Sequence, residues 1–339
     1  PFHKQMIVDK GVTLTRPLIM RLSFYCVLEV GIEDPDEPKD PETPHFIPAY
    51  SQKVKASKEF QTFQFDHSFV LNSLKSSMEG YVFHNQPLDT DDLLEQTVKL
   101  FNSCKTSLEL FDMLHNMRAY DDSTYAHSLN VALICRRIGK WLKVDAATLD
   151  TLTLCGLLHD IGKLKIPDEI LNKPGKYTDE EFDLVKRHTK FGYELLKTLN
   201  IDPHIKKAAL LHHERCDGSG YPLKATQKDL DDFSMVVAIA DVYDAMTAAR
   251  SYRAPLCPFQ VIERFEQEGL QKYKPKFILT FLQHIASTYQ NNRVLLSNGQ
   301  SANIVMLNQQ HLARPIVQLN DNSCIDLSTR LDLHIQSIL

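Results

Sequence analysis

The chain has 339 residues, 43% of them hydrophobic and 24% charged, with a formal net charge of −5 at pH 7. That length gives room for two or three domains and a sizeable core, and the hydrophobic content excludes a wholly disordered chain. The negative balance excludes uniform basic attraction to a DNA or RNA polymer, while a local basic pocket for a small anion stays open.

No apolar run approaches the length that crosses a bilayer, and no secretory signal pattern is visible. The seven cysteines stand singly at 26, 104, 135, 155, 216, 257 and 324, with no CxxC pair. That usage points to reduced thiols in a cytoplasm, not to a disulfide framework or a thiolate zinc site.

Residues 1–33 read as a small mixed segment, with a hairpin in MIVDKGVTLT and a helix followed by a strand in RPLIMRLSFYCVLEVGI. A linker spans 34–50, because its stretch DPDEPKDPETPHFIP holds five prolines and five acids and cannot bury a core. Residues 51–117 form a helical lead-in, whose three- and four-residue apolar spacing becomes clear from about 89, behind Asp and Thr capping signals. Further helices fit 122–142, 146–160, 178–199, 203–214, 231–249, 258–268 and 275–289, with prolines between them or in first turns. After about 291 the period changes. RVLLSNGQSANIVML places two apolar runs around Asn298-Gly299, a hairpin signal, and RPIVQL, CIDL and LDLHIQSIL add strands, so 291–339 is a small β appendage.

Chemistry concentrates in the helical part. YAHSLNVALICRRIG sets His127 early in an amphipathic helix, and LCGLLHDIGKLKIP ends an apolar helix on His159 and Asp160, followed by Lys163. VKRHTKFGYELL carries His188, ALLHHERCDGSGYP carries His212 and His213, and VVAIADVYDAMTAAR sets Asp241 in an otherwise apolar stretch. A single helical histidine is more often a surface or hydrogen-bonded core residue than a ligand. Five histidines and two aspartates in apolar settings are another matter, because buried imidazoles and carboxylates are costly without partners. Shared divalent cations would partner all of them, and imidazole with carboxylate suits iron or manganese. Two neighbouring metals are the usual apparatus for attacking a phosphodiester with activated water.

The run HDIGK, then a lone histidine, then HHERCDGSGYP, then ADVYDAMTAARSYR closely resembles the HD-GYP phosphodiesterases, a branch of the HD metal-dependent phosphohydrolases. The likeness covers about 118–290, roughly half the chain, and HHExxDGxGYP is far more specific than HD alone. It implies a mainly α fold: an HD-type helical bundle as catalytic domain, flanked by the small mixed N-terminal segment and the small β appendage. It implies one metal on His127, His159, Asp160 and Asp241, and a second on Asp160, His188, His212 and His213, with Asp160 bridging. Lys163 would be catalytic with Asp160, its ammonium directed at the scissile phosphate. Gly218, Gly220, Tyr221 and Pro222 would form a loop beside the site, and Arg250 and Arg253 would hold substrate phosphate or guanine.

The implied substrate is a cyclic dinucleotide, usually cyclic di-GMP, opened to linear pGpG or to GMP in a bacterial-type cytoplasm. A second copy of the chain, or a signalling protein at the GYP loop, is an open partner. Two alternatives stand beside this reading: an HD phosphohydrolase acting on another nucleotide, and a catalytically silent receptor for the dinucleotide. Members with a third metal carry a Glu four residues before the first ligand histidine. Here that position is Ser123, with Asp121 and Asp122 nearby, so two metals are expected.

Overall fold

The computed structural model describes residues 50–117, 123–173, 175–248 and 256–339. The mixed segment expected over 1–33, all but the last residue of the linker over 34–50, and Asp121, Asp122, Arg250 and Arg253 lie outside the described residues. Among the described residues, no helix is long and apolar enough to cross a membrane.

The lead-in is helical from its first described residue: α1 spans Tyr50–Ala56, α2 Lys58–His84, α3 Thr90–Ser103 and α4 Ser107–Met117. Helix α2 begins at Ser57, whose hydroxyl accepts the Phe60 N–H, and buries Phe60, Phe63, Val70, Leu71, Leu74 and Met78 at helical spacing. Its pattern is blurred in the sequence because Phe65, Phe69 and Phe83 stay on its outer face, so apolar residues occur on both sides.

Helix α5 (Thr124–Trp141) and helix α6 (Ala146–Leu158) form the centre of the bundle. A Cβ on Gly156 would lie 2.6 Å from the Ala132 Cα, so the two backbones touch where only glycine fits. The expected helix over 146–160 stops at Leu158, and the chain tightens into a 3-10 turn over Ile161–Lys165. There a Cβ on Gly162 would fall 1.9 Å from the His188 carbonyl oxygen. This second backbone contact presses the turn against helix α9 (His188–Leu196).

Helix α7 (Asp168–Leu171) precedes α8 (Asp179–Lys186), which starts on a Thr178/Glu181 capping box. The single helix expected over 178–199 is thus two, α8 and α9, divided at Arg187. The His188 ring donates its Nδ1–H to the Val185 carbonyl at 2.6 Å, occupying the acceptor that a continuous helix would offer to residue 189. Helix α10 (Pro203–Leu211) likewise ends before its expected limit of 214, freeing His212 and His213 from the helix. Helices α11 (Asp232–Thr247), α12 (Pro258–Lys272) and α13 (Pro275–Thr288) complete the bundle.

The C-terminal strands are β1 (Arg293–Leu296), β2 (Ser301–Met306), β3 (Ile316–Leu319), β4 (Cys324–Asp326) and β5 (Ile335–Ile338). They form one antiparallel sheet ordered β4-β3-β2-β1-β5. The Asn298-Gly299 turn joins β1 to β2, with Gly299 at φ +83. Val294, Leu296, Ile304 and Val317 join the apolar core of the helices. Arg314 pairs with Glu263 of α12 at 2.8 Å, and Glu266 accepts the Leu312 N–H at 2.6 Å.

Candidate metal centre

Five chain segments meet at one point: α5, the end of α6, the start of α9, the end of α10 and α11. The rings of His127 and His159 lie 5.3 Å apart, and those of His159 and His212 4.8 Å apart. His159, Asp160, His188 and His212 are buried. Each of three rings gives its Nδ1–H to a helical carbonyl: His159 to Gly156 at 2.7 Å, His188 to Val185 at 2.6 Å and His212 to Ala208 at 2.9 Å. That bond fixes the tautomer and leaves the Nε2 lone pair facing inward, the arrangement a metal-binding imidazole needs.

Asp160 is common to two groups. Its carboxylate and one ring nitrogen each of His188, His212 and His213 lie within 4.8 Å of one another, and so do ligand atoms of His127, His159 and Asp160. Oδ1 lies 3.3 Å from His188 Nε2 and 3.7 Å from His212 Nε2, while Oδ2 lies 3.3 Å from His159 Nε2 and 3.6 Å from His127 Nε2. Asp241 sits on the other side, 3.1 Å from His127 Nε2 and 3.7 Å from His213 Nδ1. The seven residues singled out in the sequence therefore converge.

The electrostatics suit cations. Burial lowers the imidazole pKa of His127, His212 and His213, and pulls His188 down to about 3, so these rings are neutral near pH 7. At His159 burial also acts downward, but the Asp160 carboxylate outweighs it and leaves a net rise. Burial pushes both carboxyls up. Lys163 and His159 beside Asp160, and His127 and His213 beside Asp241, overcome it and hold both well below their usual range. His159 Nε2 and Asp160 Oδ1 are buried with no hydrogen-bond partner. Bare lone pairs in a shell of nitrogen and carboxylate donors fit divalent metal.

Two supporting residues escaped the sequence reading. Asp244, buried one turn after Asp241, accepts the His127 Nδ1–H at 2.8 Å and so orients that ring as the carbonyls orient the others. Asp244→Asn is expected to lower metal affinity about 10- to 100-fold, the usual cost of losing such a partner. Titration of metal-stripped protein checks this, and unchanged affinity would assign Asp244 to packing alone.

Glu214, also buried, accepts the N–H groups of Leu223 at 2.5 Å and Ala225 at 3.0 Å, pinning the loop that carries Gly220, Tyr221 and Pro222. A Cβ on Gly220 would lie 2.4 Å from the Glu214 Cα, so glycine is required where the loop folds back. The Tyr221 ring packs on that of His213 at 4.7 Å, which brings the loop against the centre. Ser123 is the N-cap of α5, its hydroxyl accepting the Ala126 N–H at 3.2 Å. The Lys163 ammonium lies 2.5 Å from Asp160 Oδ2.

The family model described as HD domain matches residues 92–277. A 3'3'-cGAMP-specific phosphodiesterase of Vibrio cholerae is 34% identical over 53% of this chain and 35% of its own length. A cyclic di-GMP phosphodiesterase of Pseudomonas aeruginosa is 33% identical over 61% and 50%, and one of Thermotoga maritima 35% identical over 52% and 48%. The chain thus spans half or less of the length of these relatives. A solved HDG"Y"P protein from Bdellovibrio bacteriovorus superposes with a TM-score of 0.54 at 18% identity, covering 69% of this chain and 74% of that one, a likeness of fold.

Proposed function

The chain belongs to the HD domain family, in its HD-GYP branch, and on that premise we propose that it is a phosphodiesterase that hydrolyses a cyclic dinucleotide. The substrate proposed is cyclic di-GMP, opened to linear pGpG or onward to GMP. Relatives named for cyclic di-GMP and for 3'3'-cGAMP match it at 33–35% identity, so 3'3'-cGAMP is the second candidate.

The observation that carries the reading is the buried Asp160 carboxylate shared by two histidine groups. It supports two divalent ions, iron or manganese: one on His127, His159, Asp160 and Asp241, the other on Asp160, His188, His212 and His213. Bound there, the ions would supply Lewis acidity toward a phosphoryl oxygen and lower the pKa of water. The chain's own residues do the rest. The carbonyls of Gly156, Val185 and Ala208 and the Asp244 carboxylate hold the imidazoles in one tautomer. Lys163 places a positive charge at the rim, where negative charge grows on the phosphoryl group in the transition state. The Gly220–Tyr221–Pro222 loop, pinned by Glu214, walls one side of the substrate site, and Arg250 and Arg253 supply cations for phosphate or guanine.

The test is an assay of purified, metal-loaded protein against cyclic di-GMP, 3'3'-cGAMP and a nucleoside triphosphate. Release of linear dinucleotide or GMP from a cyclic substrate is expected. Turnover of the triphosphate alone would replace this reading with another HD phosphohydrolase, and binding without turnover would make the protein a receptor.

A further inference from the structure

The metal cluster can grip a phosphate, but a nucleotide also carries bases, and nothing among the cluster's ligands offers a base an open π surface. Such a surface stands nearby. Phe182 lies on α8, the helix that leads into His188, and its side chain is 45% exposed. Its ring meets the Tyr221 ring edge-on, with centroids 6.4 Å apart and planes at 77°. Tyr221 in turn packs against His213. The rings of His213, Tyr221 and Phe182 therefore run from the centre outward to solvent. Tyr221 has one face turned to His213, and Phe182 is the outermost ring and reaches solvent. The Lys186 ammonium, paired with Asp183, lies 4.8 Å from the Phe182 ring centroid. An isolated exposed phenylalanine would call for no explanation. This one is joined ring by ring to a metal ligand.

We propose that Phe182 is a stacking platform for a nucleobase of the substrate. The inference rests on the cyclic-dinucleotide reading above and adds a base subsite to it. Stacking on an aromatic ring contributes about 1–3 kcal/mol per base and tolerates any base, since every base has a π face. Phe182 therefore strengthens binding without choosing between guanine and adenine.

The test uses steady-state kinetics of the metal-loaded chain. Phe182→Ala should raise KM for cyclic di-GMP and for 3'3'-cGAMP alike by about tenfold, with kcat kept, and Phe182→Trp should restore the original KM. Inorganic phosphate, which reaches the metals but has no base, should inhibit wild type and Phe182→Ala equally. An unchanged KM in Phe182→Ala would overturn the platform while leaving the phosphodiesterase reading standing. So would phosphate inhibition weakened in step with KM, because the ring would then be shaping the metal centre. A wild-type protein that turns over neither cyclic dinucleotide would remove the functional reading and the platform with it.

Discussion

Replacing Asp160 with alanine is expected to abolish metal binding and turnover together. Its carboxylate is almost fully buried and lies within 3.3–3.7 Å of ring nitrogens from four histidines on four chain segments. Among the described residues it alone belongs to both groups of potential ligands. Its removal leaves each group short of a ligand and takes away a buried negative charge that would offset bound metal. Losing a member of such a catalytic unit costs on the order of 10⁴-fold or more in rate. Asp160→Asn keeps the side-chain volume and separates charge from packing. Both variants should lose metal by elemental analysis while keeping wild-type helicity by circular dichroism. Substantial turnover in either would mean that the cluster is not the catalytic centre.

Lys163→Ala carries the second largest effect, and it should divide rate from metal content. An ammonium has no lone pair to give a metal, so the lysine is not a ligand. It lies on the Asp160 oxygen that His127 and His159 also approach, and it is part-exposed at the opening of the site. On the proposed reading it supplies positive charge where phosphoryl charge develops. The loss expected of one electrostatic donor is about 10²- to 10³-fold in kcat. Metal analysis of the same preparation should match wild type. Metal loss in parallel with rate would instead give Lys163 the task of holding Asp160 in place.

The centre was legible in the sequence because it violates the local pattern. His159, Asp160 and His212 end apolar helices and Asp241 interrupts one, and a buried polar group in such a setting demands a partner. Asp244 was not legible for the opposite reason. A second aspartate one turn along a helix reads as an ordinary polar residue, and its partner His127 lies 117 residues away in sequence. Glu214 was hidden in a motif whose glycines and tyrosine draw notice first, and only the folded loop shows two backbone N–H groups converging on it.

The elements followed the same division. The hairpin at Asn298-Gly299 is a local event, set by a glycine at positive φ, and it stands where the sequence placed it. The break at Arg187 is a tertiary event. Residues 178–199 keep helical spacing throughout, and what divides them is the His188 ring taking the Val185 carbonyl. Site geometry there overrides helix propensity. Phe182 was invisible for a related reason: an apolar residue in an amphipathic helix is assigned to the core, whereas the fold turns this one to solvent beside Tyr221.

The account's central claim is that this His/Asp cluster holds the divalent ions on which phosphodiester hydrolysis depends. The most direct measurement is the metal content of protein purified without oxygen, paired with cyclic di-GMP turnover before chelation, after chelation, and after restoring iron or manganese. The account predicts about two metals per chain, loss of turnover when they are stripped, and its return with either ion. Full turnover by protein shown to be metal-free would contradict it.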